Sequence, residues 1–175
     1  MKTIKYNLIH YPAIDSTNDE ARRLIKEGKG EGTVVVAEYQ SQGRGKPGRS
    51  WVSSPGGVYL SVILQPFKNP QELVPITLLA ARAVVKTIEK VAALKAEIKL
   101  PNDVLLSGKK ICGILTERVA SGQVIIGMGV NLNNPVESVL QATSLKNEAQ
   151  KEFAPPAFIE ALLLELGQEY LAYLN

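Results

Sequence analysis

Along this chain the spacing of apolar residues switches repeatedly between the two-residue period of a strand and the 3.6-residue period of a helix. Residues 7–14 predict a first strand that ends at Asp15. Thr17-Asn18-Asp19-Glu20 has the form of a capping box, a hydroxyl three residues ahead of a glutamate. It predicts a helix through Ala21, Leu24 and Ile25 that stops near Gly28-Lys29-Gly30. The β-branched run Val34-Val35-Val36 marks a buried strand over 33–39, and 57–65 is a strand with Val58, Leu60, Val62 and Leu64 on one side. Pro75 suits the first turn of a long helix to about residue 91, where Ile76, Leu79, Ala83 and Ile88 recur at helical spacing. Segments 96–100, 103–106 and 109–119 are extended, and Ser107-Gly108 and Ser121-Gly122 supply tight turns, so this region predicts antiparallel hairpins. A last strand over 123–130 follows, then weakly periodic sequence over 133–154 holding a short helix, and an amphipathic helix over 156–173. No repeat or linker divides the chain, which predicts one domain over 1–175. The class is α+β: a mixed, hairpin-rich β-sheet with helices packed on one side.

Composition narrows the setting more than the chemistry. At 175 residues, 45% hydrophobic and 21% charged, the chain is ordinary for a soluble globular protein and long enough for a substantial core. A net charge of +3 is too small to imply nucleic-acid binding by itself, so no nucleic-acid partner is expected. Cys112 is the only cysteine, which excludes an internal disulfide and favours an intracellular, cytoplasmic setting; its apolar flanks predict a small buried residue. No apolar run approaches the roughly 20 residues that span a bilayer, and the first six residues carry no leader-type apolar segment, so no membrane partner is expected.

The cations cluster in one place. Gln40-Ser41-Gln42-Gly43-Arg44-Gly45-Lys46-Pro47-Gly48-Arg49-Ser50-Trp51 combines three glycines, three cations and a proline, which break regular ladders but can offer backbone N–H groups and charge to an anion. The spacing is not that of a P-loop. A mobile basic loop without ligand and a minor-groove hook are the competing readings, the second weakened by the core strands on either side. Asp103 and Lys110 fall on adjacent strands if Ser107-Gly108 turns the chain. They make either a plain cross-strand ion pair or a functional pair, Asp103 holding Mg²⁺ and Lys110 neutralising anionic substrates. Asp15-Ser16-Thr17-Asn18 is a helix cap that can also bind a small polar group. Gly127-Met128-Gly129-Val130-Asn131 ends the last strand with either a ligand contact or a turn. His10 has no partner motif, and one His with one Cys supports no metal cluster.

Taken in order, these segments resemble the biotin–protein ligase catalytic domain. The resemblance rests on Asp15-Ser16-Thr17-Asn18, Glu38-Tyr39-Gln40, Gly43-Arg44-Gly45 with Gly48-Arg49-Ser50-Trp51, Lys99 with Pro101-Asn102-Asp103, Lys110 with Gly113-Ile114-Leu115, and Gly127, Gly129-Val130-Asn131. Ala142-Thr143-Ser144-Leu145 fits the adenosine-side segment. The resemblance implies a class II synthetase-like fold, ATP, Mg²⁺, biotin as substrate, a biotin carboxyl carrier protein as partner, and a homodimer. It implies adenylation of biotin followed by transfer to a carrier lysine. It assigns Ser16, Thr17, Asn18, Gln40, Gly43, Arg44, Gly45, Lys46, Trp51, Lys110, Gly113 and Leu115 to biotin. To ATP it assigns Arg44, Lys46, Arg49, Trp51, Lys99, Asn102, Asp103, Asn131 and Ser144. Lys110, Asp103 and Arg49 carry the catalytic roles, and Asp103 the metal. Lys46 stands where the family usually has arginine, and Leu100 where it usually has tryptophan. A DNA-binding helix-turn-helix ahead of the first strand and a small β-barrel after the last helix are not expected in this chain. Lipoate–protein ligase is the enzymatic rival, without its glycine-triplet and His-Asp motif here. A module that retains biotin or its adenylate without transfer is the non-catalytic one.

Overall fold

The structure is a computed structural model and describes residues 4–66 and 73–175. Met1-Lys2-Thr3, the start of the stretch read for a leader segment, lie outside the described residues. The elements follow the order β1 (Asn7–Tyr11), α1 (Thr17–Lys26), β2 (Thr33–Ala37), β3 (Val58–Leu64), α2 (Val74–Ala92), β4 (Ala96–Lys99), β5 (Asp103–Leu106), β6 (Lys109–Arg118), β7 (Val124–Val130), α3 (Leu145–Ala149) and α4 (Pro155–Leu174). They build one sheet in the order β1-β2-β3-β7-β6-β5-β4. β1 and β2 run parallel because a helix connects them, and the remaining neighbours are antiparallel. The predicted hairpins β4–β5, β5–β6 and β6–β7 are all present.

The two-residue period of the central strands sorts side chains between two cores. Val34, Val36, Leu60, Val62 and Ile126 turn toward α2 and α4 and join Leu79, Val84, Leu162 and Leu166 in the larger core. Val35, Ile63 and Ile125 turn the other way and meet Ala21 and Leu24 of α1. The α+β class therefore holds, but the helices do not all share one side. α1 takes the face opposite α2 and α4, because β2, β3 and β7 are apolar on both faces and leave a second surface to cover. Between α2 and α4 the contact is sealed by charge: Glu169 accepts from Arg82 at 2.6 Å and Lys86 at 2.7 Å.

A second departure sharpens the α1 N-terminus. Ser16, not Thr17, is the cap: its backbone is extended and its hydroxyl accepts from the Asp19 N–H. Thr17 becomes the first helical residue, and its hydroxyl is released for other bonds. Cys112 is buried as expected, and burial pushes its thiol well above the ordinary range.

Candidate functional site

One cavity, about 790 Å³, is an apolar groove between α4 and β1 lined by residues such as Leu8, Ile159 and Leu163. Polar groups converge instead on a cavity of about 90 Å³, on the face of the sheet that carries α1. There the N-terminus of α1, the glycine-rich loop, the β5–β6 hairpin and β7 meet.

One wall is a chain of hydrogen bonds. Thr17 donates from its backbone N–H (2.8 Å) and hydroxyl (3.1 Å) to Gln40 Oε1, and Gln40 Nε2 donates to Ser53 Oγ at 2.8 Å. Ser61 Oγ lies 2.8 Å from Thr17 Oγ1 and 2.5 Å from Asn18 Oδ1. Asn18 Nδ2 donates to Glu117 Oε2 at 2.8 Å. The wall is buried, yet its polar side chains are paired, which is the condition for holding polar groups inside without penalty.

Glycines make the floor. Gly113 on β6 and Gly129 on β7 are cross-strand partners, and the Trp51 indole lies over both. A Cβ at Gly113 would fall 2.7 Å from Trp51 Cζ3, and one at Gly129 would fall 2.5 Å from Trp51 Nε1. That indole N–H is buried and has no hydrogen-bond partner. At about 90 Å³ the cavity is far below the roughly 300 Å³ from which drug-sized ligand sites begin, and the indole accounts for part of the filling.

The glycine-rich loop is not the unpaired segment its sequence predicts. Arg44 bridges Ser50 and Gln40 bridges Ser53, while Gly45 N–H donates to Arg49 O and Trp51 N–H to Gly43 O. It folds back on itself as a narrow, twisted ribbon. Arg44 is tied down: it reaches Asp19 Oδ1 at 2.7 Å and Glu117 Oε1 at 2.9 Å. Those carboxylates raise its guanidinium's proton affinity even though desolvation, the largest single influence, works against it. Among the described residues, Lys46 and Arg49 form no ion pair and line the same cavity.

Lys110 stands across from them. Its ammonium lies 2.8 Å from Asp103 Oδ1 and 5.3 Å from the centre of the Trp51 ring. A β-bulge after Val104 puts Lys110 opposite Leu105, so the contact with Asp103 runs diagonally between the strands. Asp103 Oδ1 is buried without an aligned hydrogen bond, so it offers an acceptor to any cation that replaces or joins the ammonium. No group of three or more His, Cys, Asp or Glu able to hold a metal occurs among the described residues. One carboxylate suits a Mg²⁺ ion that brings most of its ligands as phosphate oxygens and water. The Lys110 backbone is itself fixed by Gln141 O and the Thr143 N–H, which places the 141–143 segment beside it.

Of the residues singled out in the sequence, Ser16, Thr17, Asn18, Gln40, Arg44, Gly45, Lys46, Arg49 and Trp51 line this cavity with Asn102, Asp103, Lys110, Gly113 and Leu115. Gly43 lies just behind it, against Trp51 O and Ser53 Oγ. Lys99, Asn131 and Ser144 do not line it. Lys99 is exposed, Asn131 Oδ1 accepts from Asn134, and Ser144 caps α3 by accepting from the Asn147 N–H. Asn131 and Ser144 lie together nonetheless, through the Leu145 N–H on Asn131 O. The sequence reading missed Ser61, Asp19 and Glu117. A lone Ser inside the apolar run of β3 is the signal that could have found the first.

Residues 11–131 match the family model described as the biotin/lipoate A/B protein ligase family. The bifunctional ligase/repressor BirA of Bacillus subtilis is 40% identical over 97% of this chain and 55% of its own length. The biotin--[acetyl-CoA-carboxylase] ligase of Paracoccus denitrificans is 38% identical over 67% of this chain and 51% of its own. The chain thus spans about half the length of these relatives. Among solved structures, biotin protein ligase from Aquifex aeolicus in complex with biotin and ATP superposes with a TM-score of 0.85 at 30% identity, covering 95% of this chain and 71% of that one. The Leishmania major enzyme in complex with biotinyl-5-AMP gives 0.80 at 29% identity, covering 91% and 73%.

Proposed function

The chain belongs to the biotin/lipoate A/B protein ligase family, and on that premise we propose that it is the catalytic domain of a biotin–protein ligase. In the first step a biotin carboxylate oxygen attacks the α-phosphorus of ATP, the bond to the β-phosphate oxygen breaks, and pyrophosphate leaves. In the second, a carrier lysine amine attacks the acyl carbon, the bond to the phosphate oxygen breaks, and AMP leaves. One observation carries the reading: a buried wall of paired donors and acceptors faces Lys110, Lys46 and Arg49 across a glycine floor, so one ligand can be neutral at one end and anionic at the other.

The paired wall of Ser16, Thr17, Asn18 and Gln40 receives the neutral ureido ring, and Gly113 and Leu115 line its flank. Lys110 leaves Asp103 to bridge the biotin carboxylate and the α-phosphate, two anions that must approach before reaction. Lys46 and Arg49 take up the remaining phosphate charge, and closure of the loop around Trp51 keeps the anhydride from water. Asp103, freed of the ammonium, would hold a Mg²⁺ that supplies charge neutralisation on the phosphates. Lys99, Asn102, Asn131 and Ser144 belong on the nucleotide side. A carrier-protein domain is the acceptor, and a homodimer formed by pairing sheets uses one of the edge strands β1 or β4.

Incubation with biotin, ATP, Mg²⁺ and an apo carrier domain should add the mass of one biotinyl group to one carrier lysine. In a parallel incubation with lipoate in place of biotin, addition of a lipoyl group when biotin adds nothing would overturn the ligase reading in favour of its rival, and no addition from either acid while the protein binds biotin would favour a retaining module.

A further inference from the structure

Glu117 touches nothing in the cavity directly, yet its carboxylate collects the residues that shape it. It accepts from Asn18 Nδ2 at 2.8 Å, from Arg44 Nη2 at 2.9 Å and Nη1 at 3.2 Å, and from Arg22 Nη2 at 3.1 Å. We propose that Glu117 is a positioning residue that sets two walls of the ligand site together, turning the Asn18 amide and anchoring the glycine-rich loop through Arg44. The inference rests on the biotin-ligase reading for the ligand but not for the anchor.

The first half follows from the donor inventory. An ionised carboxylate only accepts, so it must face the NH₂ end of Asn18. The carbonyl end is thereby turned toward Ser61 and Gly127, where a Cβ at position 127 would collide with Asn18 Oδ1. The site therefore presents an acceptor at this point and selects ligands with an N–H to donate, as a cyclic urea has. Without Glu117 only a long bond from Nδ2 to Leu115 O, at 3.4 Å, is left to hold that end of the amide.

The second half concerns Arg44. Both terminal nitrogens of its guanidinium are engaged by Glu117 and Asp19, in a fork that carboxylates match well. Arg44 is then the loop's anchor and not an anion ligand, which leaves anion binding to Lys46 and Arg49. The other foot of the loop is tied by Ser53 and Gln40 to Thr17, and Thr17 and Asn18 share Ser61. The two feet thus belong to one hydrogen-bonded circuit. A ligand that steadies Asn18 steadies the Glu117 fork, and loop closure in turn favours the ligand, since such coupling is reciprocal.

Limited trypsinolysis tests the anchor without reference to activity, because Arg44 and Arg49 are cleavage sites within the loop itself. Glu117→Gln should be cut in the loop about tenfold faster than the parent, the effect of losing one charge-assisted hydrogen bond, with only a small fall in the thermal midpoint. The biotin KM in pyrophosphate exchange should rise by a similar factor, and kcat should change less. At Arg49, the double variant Arg44→Gln, Glu117→Gln should be cut no faster than Arg44→Gln alone. Cleavage of Glu117→Gln at the parent rate, or additive acceleration in the double variant, would overturn the anchor. Should Glu117→Gln fail to fold, Arg44→Gln alone tests the same fork from the surface side and must accelerate cleavage at Arg49. Glu117-dependent loop protection in a parent that shows no exchange would sink the ligase reading and leave the anchor standing. An active parent with no Glu117 dependence would do the reverse.

Discussion

At the scale of single residues, the site is organised by which cations are free. Arg44 is spent on Asp19 and Glu117, whereas Lys110 pairs with the single carboxylate of Asp103, and its proposed role is to exchange that carboxylate for a substrate anion. Lys110→Ala should lower adenylation by on the order of a hundredfold or more, as removal of one preorganised charge partner does, with an unchanged far-ultraviolet spectrum; near-parent exchange would refute its role. Lys46 keeps charge but lacks the bidentate fork of arginine, so Lys46→Arg should slow release of bound adenylate, measured by chase with unlabelled biotin. Glu117 sets a pH limit. Burial, its largest single influence, works to raise its proton affinity, but the Asn18 hydrogen bond and the Arg22 and Arg44 charges together hold the carboxyl below its ordinary value of 4.5. A lowered folded value means the stabilisation is complete above the unfolded value and is lost as pH falls through the folded one. Loop protection from an acid-active protease should therefore be flat from neutral pH to near 5 and collapse only below about 4.5. These roles were only half legible. Lys110 and Asp103 stand out by type and by the turn between them. Asn18 and Glu117, 99 residues apart, meet only because the sheet brings them together.

At the scale of elements, the sequence reading was strongest where turns are short. Ser107-Gly108 and Ser121-Gly122 determine the β5–β6 and β6–β7 hairpins, and with them the position of Gly113 opposite Gly129. Gly129→Ala should drive the indole off the floor, seen as a shift in emission of Trp51, the only tryptophan; an unshifted spectrum would contradict the packing. The placement of α1 was not legible, because β2 and β3 are buried throughout and a continuous apolar run does not say which face a helix covers. The cap was legible as the segment Asp15-Ser16-Thr17-Asn18, but not which hydroxyl in it does the capping. Two adjacent hydroxyls compete for it, and the choice is settled by Gln40 and Ser61 claiming Thr17. The α2–α4 contact carries its own prediction. Glu169 is nearly buried while Arg82 and Lys86 are half exposed, so Glu169→Ala should cost only about 1 kcal/mol in denaturant unfolding, screened below the value of a fully buried pair.

At the scale of the whole molecule, the sheet divides labour between its faces. The face under α2 and α4 supplies the larger core, and the face under α1 carries the polar wall, the glycine floor and the loop. The apolar groove beside α4 is larger but holds few polar groups, so size alone would have pointed to the wrong cavity. No helix among the described residues is long and apolar enough to cross a membrane. The central claim is that this architecture activates biotin by adenylation. It is tested most directly by exchange of labelled pyrophosphate into ATP, run in parallel with biotin and with lipoate. Exchange should require biotin, should not be supported by lipoate, and should disappear in Lys110→Ala. Exchange driven by lipoate alone, or by neither acid at high protein concentration, would contradict it.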